Sequence, residues 1–534
     1  RAARSLAVRT RPTASRGHVR ASTTAADAAT ATASYTALAE KLRDVSSLGG
    51  IAGLLEWDSQ VMLPDGAREA RARQCAVLAG LEHDLATSAS LGELISKAEA
   101  EMADGSLGVY ESAVVRDAKR AFDKRTRVPR ELAQRQAQLQ SEGYGAWVKA
   151  READDFEAFA GVLEEWVDLT RERCSLVSPD LPVYDACLDD YERGCTTERL
   201  DSIFAEVKAG LIPLLNDLRE RGTAPDNSWL SGDFPIAVQT ELCTDIATRM
   251  GFSLSRGRVD VSVHPFTGGA HPSDVRFTTR FKKEDFTEGL TGAIHETGHA
   301  LYEQNRNADY DGLPVSEALS MGIHESQSLL WERMVALSPA FAEFLLPQLR
   351  NKFPGTFPED KNAQDLYAGL NVLRNPPLIR VESDEVAYPL HVILRFDIER
   401  RLLSGEVSVR ELPELWNELS QEYLGVTPPT NAVGVLQDVH WSAGAFGYFP
   451  TYLIGSMAAC QIYNAAEKDI ANLSESIAAG EFDELRNLLR TRIHEVGSLY
   501  PSSDELLTHA TGAPLDPSLF LEYLDTKYRP LYQI

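Results

Sequence analysis

Apolar residues recur at three- and four-residue spacing through long stretches of the chain, among them Tyr35–Ser47, Arg68–Thr87, Arg130–Gln140 and Leu200–Arg221. That period marks the buried face of an amphipathic helix. Ala, Leu, Glu and Arg are abundant in these stretches and suit helices. Two short segments alternate instead, Val259–Val263 and Asp274–Arg280. They read as strands, with the turn-prone pair Gly268-Gly269 between them. No internal repeat is evident. The pattern predicts a mostly α-helical body. Asp226, Asn227 and Gly232 mark a loop near residues 222–234. It separates a helical N-terminal half, up to about residue 230, from a second half, 235–534, that carries the candidate chemistry. The break lies within one domain, 34–534, and is not a flexible linker.

Length and composition add bounds. The 534 residues suffice for a large core, and 43% hydrophobic with 25% charged residues is ordinary for a soluble protein. No uninterrupted apolar stretch reaches the roughly 18 residues that would span a bilayer, so no membrane partner is expected. A net charge of -26 argues against a general nucleic-acid binder. The six cysteines form no C-x-x-C pair, which excludes a thiolate zinc site of that kind. They are expected as free thiols, with a disulfide among Cys174, Cys187 and Cys195 left open. The start differs from the rest. Arg1 to Ala26 holds six arginines and no acidic residue, amid Ala, Ser and Thr. That is transit-peptide composition. Val19-Arg20-Ala21 points to the chloroplast ahead of the mitochondrion. Residues 1–33 are read as this leader and a disordered linker.

The candidate chemistry centres on His295-Glu296-Thr297-Gly298-His299. Glu284–Gln304 reads as one helix, with Phe286, Leu290, Ala293 and Ile294 on its buried face. Residues four apart sit about 40° apart around a helix and one turn along it. Two imidazoles so spaced can bind one zinc ion, and Glu296 is placed to take a proton from water. The structural alternative is two satisfied histidines. A catalytic site needs a third ligand and an open position. After the loop Asn305–Pro314, a second helical run, Glu317–Ala336, offers Glu325, 26 positions beyond His299. His324 competes for that role, but its side chain points about 100° away. Zinc is the expected metal, with cobalt or another divalent ion able to replace it.

With these motifs in order, the chain resembles the zinc carboxypeptidases typified by the thermostable Taq carboxypeptidase. The resemblance runs from about residue 35 to the C-terminus. It is carried by Trp57–Pro64, His264-Pro265-Phe266, Asp274–Thr278, His295–His299, His324–Gln327, Ile379–Asp384 and Gly434–Trp441. Ser383 departs from the pattern, standing where the family usually has Ala. The resemblance implies a saddle-shaped helical fold like neurolysin and angiotensin-converting enzyme, with a deep groove and a small antiparallel sheet at its edge. It also implies release of single residues from peptide C-termini, and a homodimer.

The motif residues can be given chemical roles. A terminal carboxylate is bound bidentately by arginine, and Arg380 and Arg276 are the candidates, with ion pairing to Asp384 or Asp274 as the structural alternative. Asp274–Thr279 is expected as the groove-edge strand that pairs with an extended peptide. His440 with Tyr448 or Tyr452 would stabilise the oxyanion and leaving amine. His264 is a substrate-side group or a structural histidine. Zinc-bound histidines donate their other N–H to an acceptor. Some related enzymes place an Asp one turn after the glutamate ligand, but Leu329 occupies that position here, so Asp384 and Asp438 are the candidates. Competing functions are an endo-oligopeptidase or dipeptidyl carboxypeptidase on the same zinc site, and a non-catalytic helical zinc-binding protein. The chain has no G-x-S-x-G elbow and no G-x-x-x-x-G-K loop.

Overall fold

The computed structural model describes residues 32–534; the leader and most of the linker fall outside them. Helices dominate. The four stretches with the clearest helical period lie in Ala33–Val61, Arg68–Ala86, Arg130–Ala153 and Thr197–Glu220. The last shows why the pattern works. Leu200, Ile203, Phe204, Val207, Leu211, Leu214, Leu215 and Leu218 all bury on one face. One large core cluster takes residues from Leu132 to Tyr532, on both sides of the 222–234 loop. A smaller cluster lies under the first helix, joining Tyr35 and Leu38 to Leu91, Ile95, Val114 and Leu313. No helix among the described residues is long and apolar enough to cross a membrane.

The sheet has three strands, β1 (Gly257–Val261), β2 (Thr267–His271) and β3 (Asp274–Thr279), in the order β1-β3-β2. This corrects two expectations. The sheet is mixed, because β1 runs parallel to β3 while β2 is antiparallel to it. And β3 is the central strand, so Asp274–Thr279 has no free edge. The pair Gly268-Gly269 does not form the expected turn. It lies within β2, and the chain turns at Pro272-Ser273 instead. Glycine is needed in β2, since Gly269 has φ of 142° at a register shift.

The outer side of β2 is closed by the first helix. A Cβ on Gly50 would lie 2.3 Å from the Ala270 carbonyl oxygen, and one on Gly53 would lie 2.5 Å from that of Gly269. Only glycine permits so close an approach. Trp57, one turn further on, is covered by the guanidinium groups of Arg276 at 4.3 Å and Arg258 at 5.0 Å. The Trp57 motif thus fastens this helix to the sheet.

Candidate active site

The helix carrying both motif histidines runs from Thr287 to Gln304. It starts three residues later than expected because Asp285 folds onto it, accepting from the Thr287 N–H at 2.8 Å and its hydroxyl at 2.6 Å. Phe286, Leu290, Ala293 and Ile294 are buried as read from the sequence. The rings of His295 and His299 stand 5.0 Å apart. The second run, expected over Glu317–Ala336, is divided. Ser320 caps a short helix, Met321–Leu329, by accepting from the Ile323 N–H. A wider π turn, Leu330–Ala336, follows.

This short helix brings Glu325 to the histidines. Its Oε2 lies 3.3 Å from His299 Nε2 and 3.9 Å from His295 Nε2. The three ligand atoms lie within 4.8 Å of one another, and among the described residues they form the one such group. Two imidazole nitrogens and one carboxylate oxygen, with no fourth protein ligand, fit a divalent metal with a position left open. Glycines make the meeting possible. A Cβ on Gly298 would sit 2.6 Å from the Gln327 carbonyl oxygen and the Ser328 Cα. On the far side, a Cβ on Gly455 would sit 2.8 Å from Glu325 Cγ. The glutamate helix is therefore held between two glycine-bearing helices.

The outer partners of the histidines differ from those read from sequence. Asp384 caps a helix start, accepting from the N–H groups of Val386 and Ala387. Asp438 pairs with arginines. Instead His295 Nδ1 meets Glu332 Oε2 at 2.7 Å. Glu332 lies two helical turns beyond Glu325, so the partner missing at Leu329 is supplied a turn later, from the π segment. His299 Nδ1 meets His324 Nδ1 at 2.6 Å, and His324 Nε2 meets Glu303 Oε1 at 2.9 Å. His324 is thus a neighbour of the site and not a rival ligand. Arg306 completes this chain, 3.0 Å from Glu303. Burial pushes Glu325 up, but His295 and His299 outweigh it and hold the carboxyl at about 2. Burial pulls His295 down, yet Glu325 and Glu332 raise it to about 10. The site is thus strongly cation-attracting. Glu332→Gln is expected to weaken metal affinity by roughly 10- to 100-fold, read by competition with a chelator. Unchanged affinity would show that the contact does not orient His295.

Glu296 is buried beside this group. Thr267 at the start of β2 holds it, donating its hydroxyl to Glu296 Oε2 at 2.7 Å. The sheet therefore holds the motif carboxylate in place. A cavity of about 610 Å3 opens alongside, reached by β2 and by Glu303, Arg306 and His324.

The other expected residues fall into two groups. Arg380, His440, Tyr448 and Tyr452 come together. Arg380 Nε and Nη2 bind Asp438 Oδ1 at 2.9 and 2.8 Å, and Arg395 Nε binds Oδ2 at 2.6 Å. Two buried guanidiniums thus share one carboxylate, leaving a net positive charge. Arg380 Nη1 has only the Tyr388 hydroxyl, at 3.5 Å, and the guanidinium lies over the Tyr452 ring at 4.9 Å. His440 Nε2 is 3.2 Å from the Tyr452 hydroxyl. Tyr448 packs its ring against Tyr452 at 5.3 Å and Tyr191 at 5.0 Å. Tyr452 lies on the helix Pro450–Asp469, one turn before the Gly455 that rests against Glu325, so the cluster adjoins the metal group. Arg276 and His264 stand apart. Arg276 pairs with Asp274 at 2.8 Å and stacks on Trp57. His264 is exposed, with its carbonyl accepting from the Ser262 hydroxyl at 2.6 Å.

Burial first, then Arg380, holds the His440 ring at about 3. His494 is also held at about 3 by burial, with Nε2 3.0 Å from Gln327 Oε1. A histidine kept neutral in the fold but protonated near pH 6.5 when unfolded makes stability fall as pH drops from about 6.5 toward 3, by roughly 1.4 kcal/mol per pH unit. His494→Gln keeps a hydrogen-bonding side chain there and removes this titration. Its melting temperature is expected to fall less steeply with acid than that of the wild type. Parallel slopes would refute the neutral state.

The profile of the family described as Carboxypeptidase Taq (M32) metallopeptidase matches residues 37–528. Thermostable carboxypeptidase 1 of Thermus thermophilus is 38% identical over 515 residues, 94% of this chain and 99% of that protein. Carboxypeptidase 1 of Bacillus subtilis is 35% identical, covering 92% of this chain and 97% of its own. The crystal structure of the M32 carboxypeptidase from Deinococcus radiodurans R1 superposes with a TM-score of 0.90 at 35% identity, over 94% of this chain and 100% of that one. The mostly helical fold agrees with these likenesses, and the chain belongs to the carboxypeptidase Taq (M32) family of metallopeptidases.

Proposed function

We propose that the protein is a zinc carboxypeptidase that removes single residues from peptides with a free C-terminus. The observation that carries this reading is the convergence of His295, His299 and Glu325 beside the buried carboxylate of Glu296. The three side chains hold the metal, which when bound supplies a Lewis acid that makes water acidic at neutral pH. Glu296 takes the proton from the attacking water and delivers it to the leaving amine. Thr267 keeps its carboxylate turned toward the site.

His440 stabilises the developing charge, with Tyr452 fixing its tautomer. With the Tyr452 hydroxyl donating to Nε2, neutral His440 carries its proton on Nδ1, which is buried without a protein partner. That N–H is a preorganised donor for an oxyanion. Tyr448 supports Tyr452 by packing and is the second candidate donor. Arg380 receives the terminal carboxylate through Nη1, in the positive pocket it forms with Arg395. Arg276 and His264 act further out, Arg276 by holding Trp57 against the sheet.

Metal analysis together with mass spectrometry of a digested free-acid peptide tests the reading. Zinc near one ion per chain and a one-residue ladder from the C-terminus are expected. Steps of two residues or internal cuts would favour the dipeptidyl carboxypeptidase or endo-oligopeptidase reading. Metal without turnover would favour the non-catalytic one. The arginine-rich start supports organellar import, with the chloroplast first. Homodimer formation is proposed from the family resemblance and is checked by light scattering.

A further inference from the structure

Two cysteines that the reaction does not use lie in contact behind the site. Cys174, in the helix Glu157–Val177, and Cys187, in the helix Val183–Tyr191, have their sulfurs 3.6 Å apart. Both are free and buried. Either thiol can donate to the other; their contact, with the nearby positive charge of Arg173 and Lys124, holds Cys174 below the usual thiol range, while the same contact and burial push Cys187 above it.

The helix carrying Cys187 is also the platform of the His440–Tyr448 loop. Tyr184 in this helix donates to Glu399 Oε2 at 3.1 Å, and the same oxygen accepts from the Gly447 N–H at 2.9 Å. Glu399 Oε1 accepts from Trp441 at 2.8 Å. Gly447, with φ of 81°, rests on the backbone of Cys187 itself. A Cβ there would lie 2.7 Å from the Cys187 carbonyl carbon. Tyr191 packs edge-on against Tyr448 at 5.0 Å. At its C-terminal end, Glu192 accepts from the Gly322 N–H at the start of the glutamate helix. Movement of this one helix therefore reaches both the loop and the helix of Glu325.

We propose that Cys174 and Cys187 are a peroxide-oxidised dithiol whose conversion to a disulfide slows peptidase turnover. The Cys174 thiolate attacks one oxygen of hydrogen peroxide, the O–O bond breaks, and the departing hydroxide takes up a proton to become water. Cys174 is then a sulfenic acid. The sulfur of Cys187 attacks the sulfur of Cys174, the S–O bond breaks, and a second water leaves with the thiol proton. Two thiols and one peroxide become a disulfide and two waters. The sulfurs lose two electrons and the peroxide gains them. Bonding requires the sulfurs to close from 3.6 Å to about 2.05 Å. The two helices are drawn together, and Gly447 has no slack against the Cys187 backbone, so the loop follows.

The coupling to turnover rests on the roles proposed for His440, Tyr448 and Tyr452; formation of the disulfide does not. Purified metal-loaded protein is treated with hydrogen peroxide. Intact mass, peptide mapping and kcat on a free-acid peptide are measured before and after dithiothreitol. The expected result is a loss of two mass units mapped to Cys174–Cys187, with kcat lowered about tenfold or more and restored by reduction. Cys174→Ala is expected to keep its kcat under the same treatment, which controls for oxidation of other thiols and methionines. Cys187→Ser serves as a second variant, with the melting temperature of each showing that it is folded. Absence of the mapped disulfide would overturn the proposal. A disulfide formed with unchanged kcat would overturn the coupling and leave the metal-site reading untouched.

Discussion

Glu296→Gln is expected to lower kcat by about 10²- to 10⁴-fold while the protein keeps its metal. Glu296 is adjacent to His295 in sequence but is not one of the three converging ligands. Glutamine has nearly the same shape, and its amide oxygen can still accept from the Thr267 hydroxyl that now lies 2.7 Å from Oε2. The local fold is therefore preserved, and the change removes basicity alone. Metal content and kcat measured on the same preparation decide it. A metal-loaded variant working at the wild-type rate would remove Glu296 from the mechanism.

Arg380→Met should discriminate between substrates more sharply than any other change at the site. Free-acid peptides are expected to lose about 2–5 kcal/mol of transition-state binding, roughly 30-fold to several thousand-fold in kcat/KM. The same peptides with amidated C-termini should change little. The fold should tolerate the change. Asp438 would keep Arg395, whose Nε binds it at 2.6 Å, so no buried carboxylate is left alone. Equal losses on acid and amide would mean that Arg380 only braces Asp438, and the exopeptidase selectivity would need another residue.

The helices and the metal group could be read from the chain because both depend on short-range spacing. His295 and His299 lie on one face at any helical register, and the apolar period of Thr197–Glu220 survives any tertiary arrangement. The partners of the histidines could not be read that way. Glu332 reaches His295 from two turns beyond Glu325, within the π segment that follows Leu329, and single-turn counting stops at Leu329. His324 meets His299 because Gly298 lets two helices nearly touch. The central place of β3 is hidden for a similar reason. Gly268-Gly269 looks like a turn by local preference, but the glycines are there for the bulge and for the helix lying over them. Pro272-Ser273, with less turn character than a glycine pair, forms the actual reversal. The cysteines are free thiols, and of the three left open for pairing the spacing could not choose Cys174 and Cys187, whose sulfurs lie 3.6 Å apart.

The glycines of the first helix have one more effect. By seating that helix on the carbonyls of Gly269 and Ala270, they cover part of the outer edge of β2. A strand edge left bare recruits strands from other molecules. Should heating or a bulky substitution at Gly50 or Gly53 lift the helix away, the first irreversible event would be intermolecular clumping through β2, ahead of any unfolding of the central core. The practical durability of this enzyme in solution would then be governed by how firmly its first helix stays seated, and not by the depth of the hydrophobic interior.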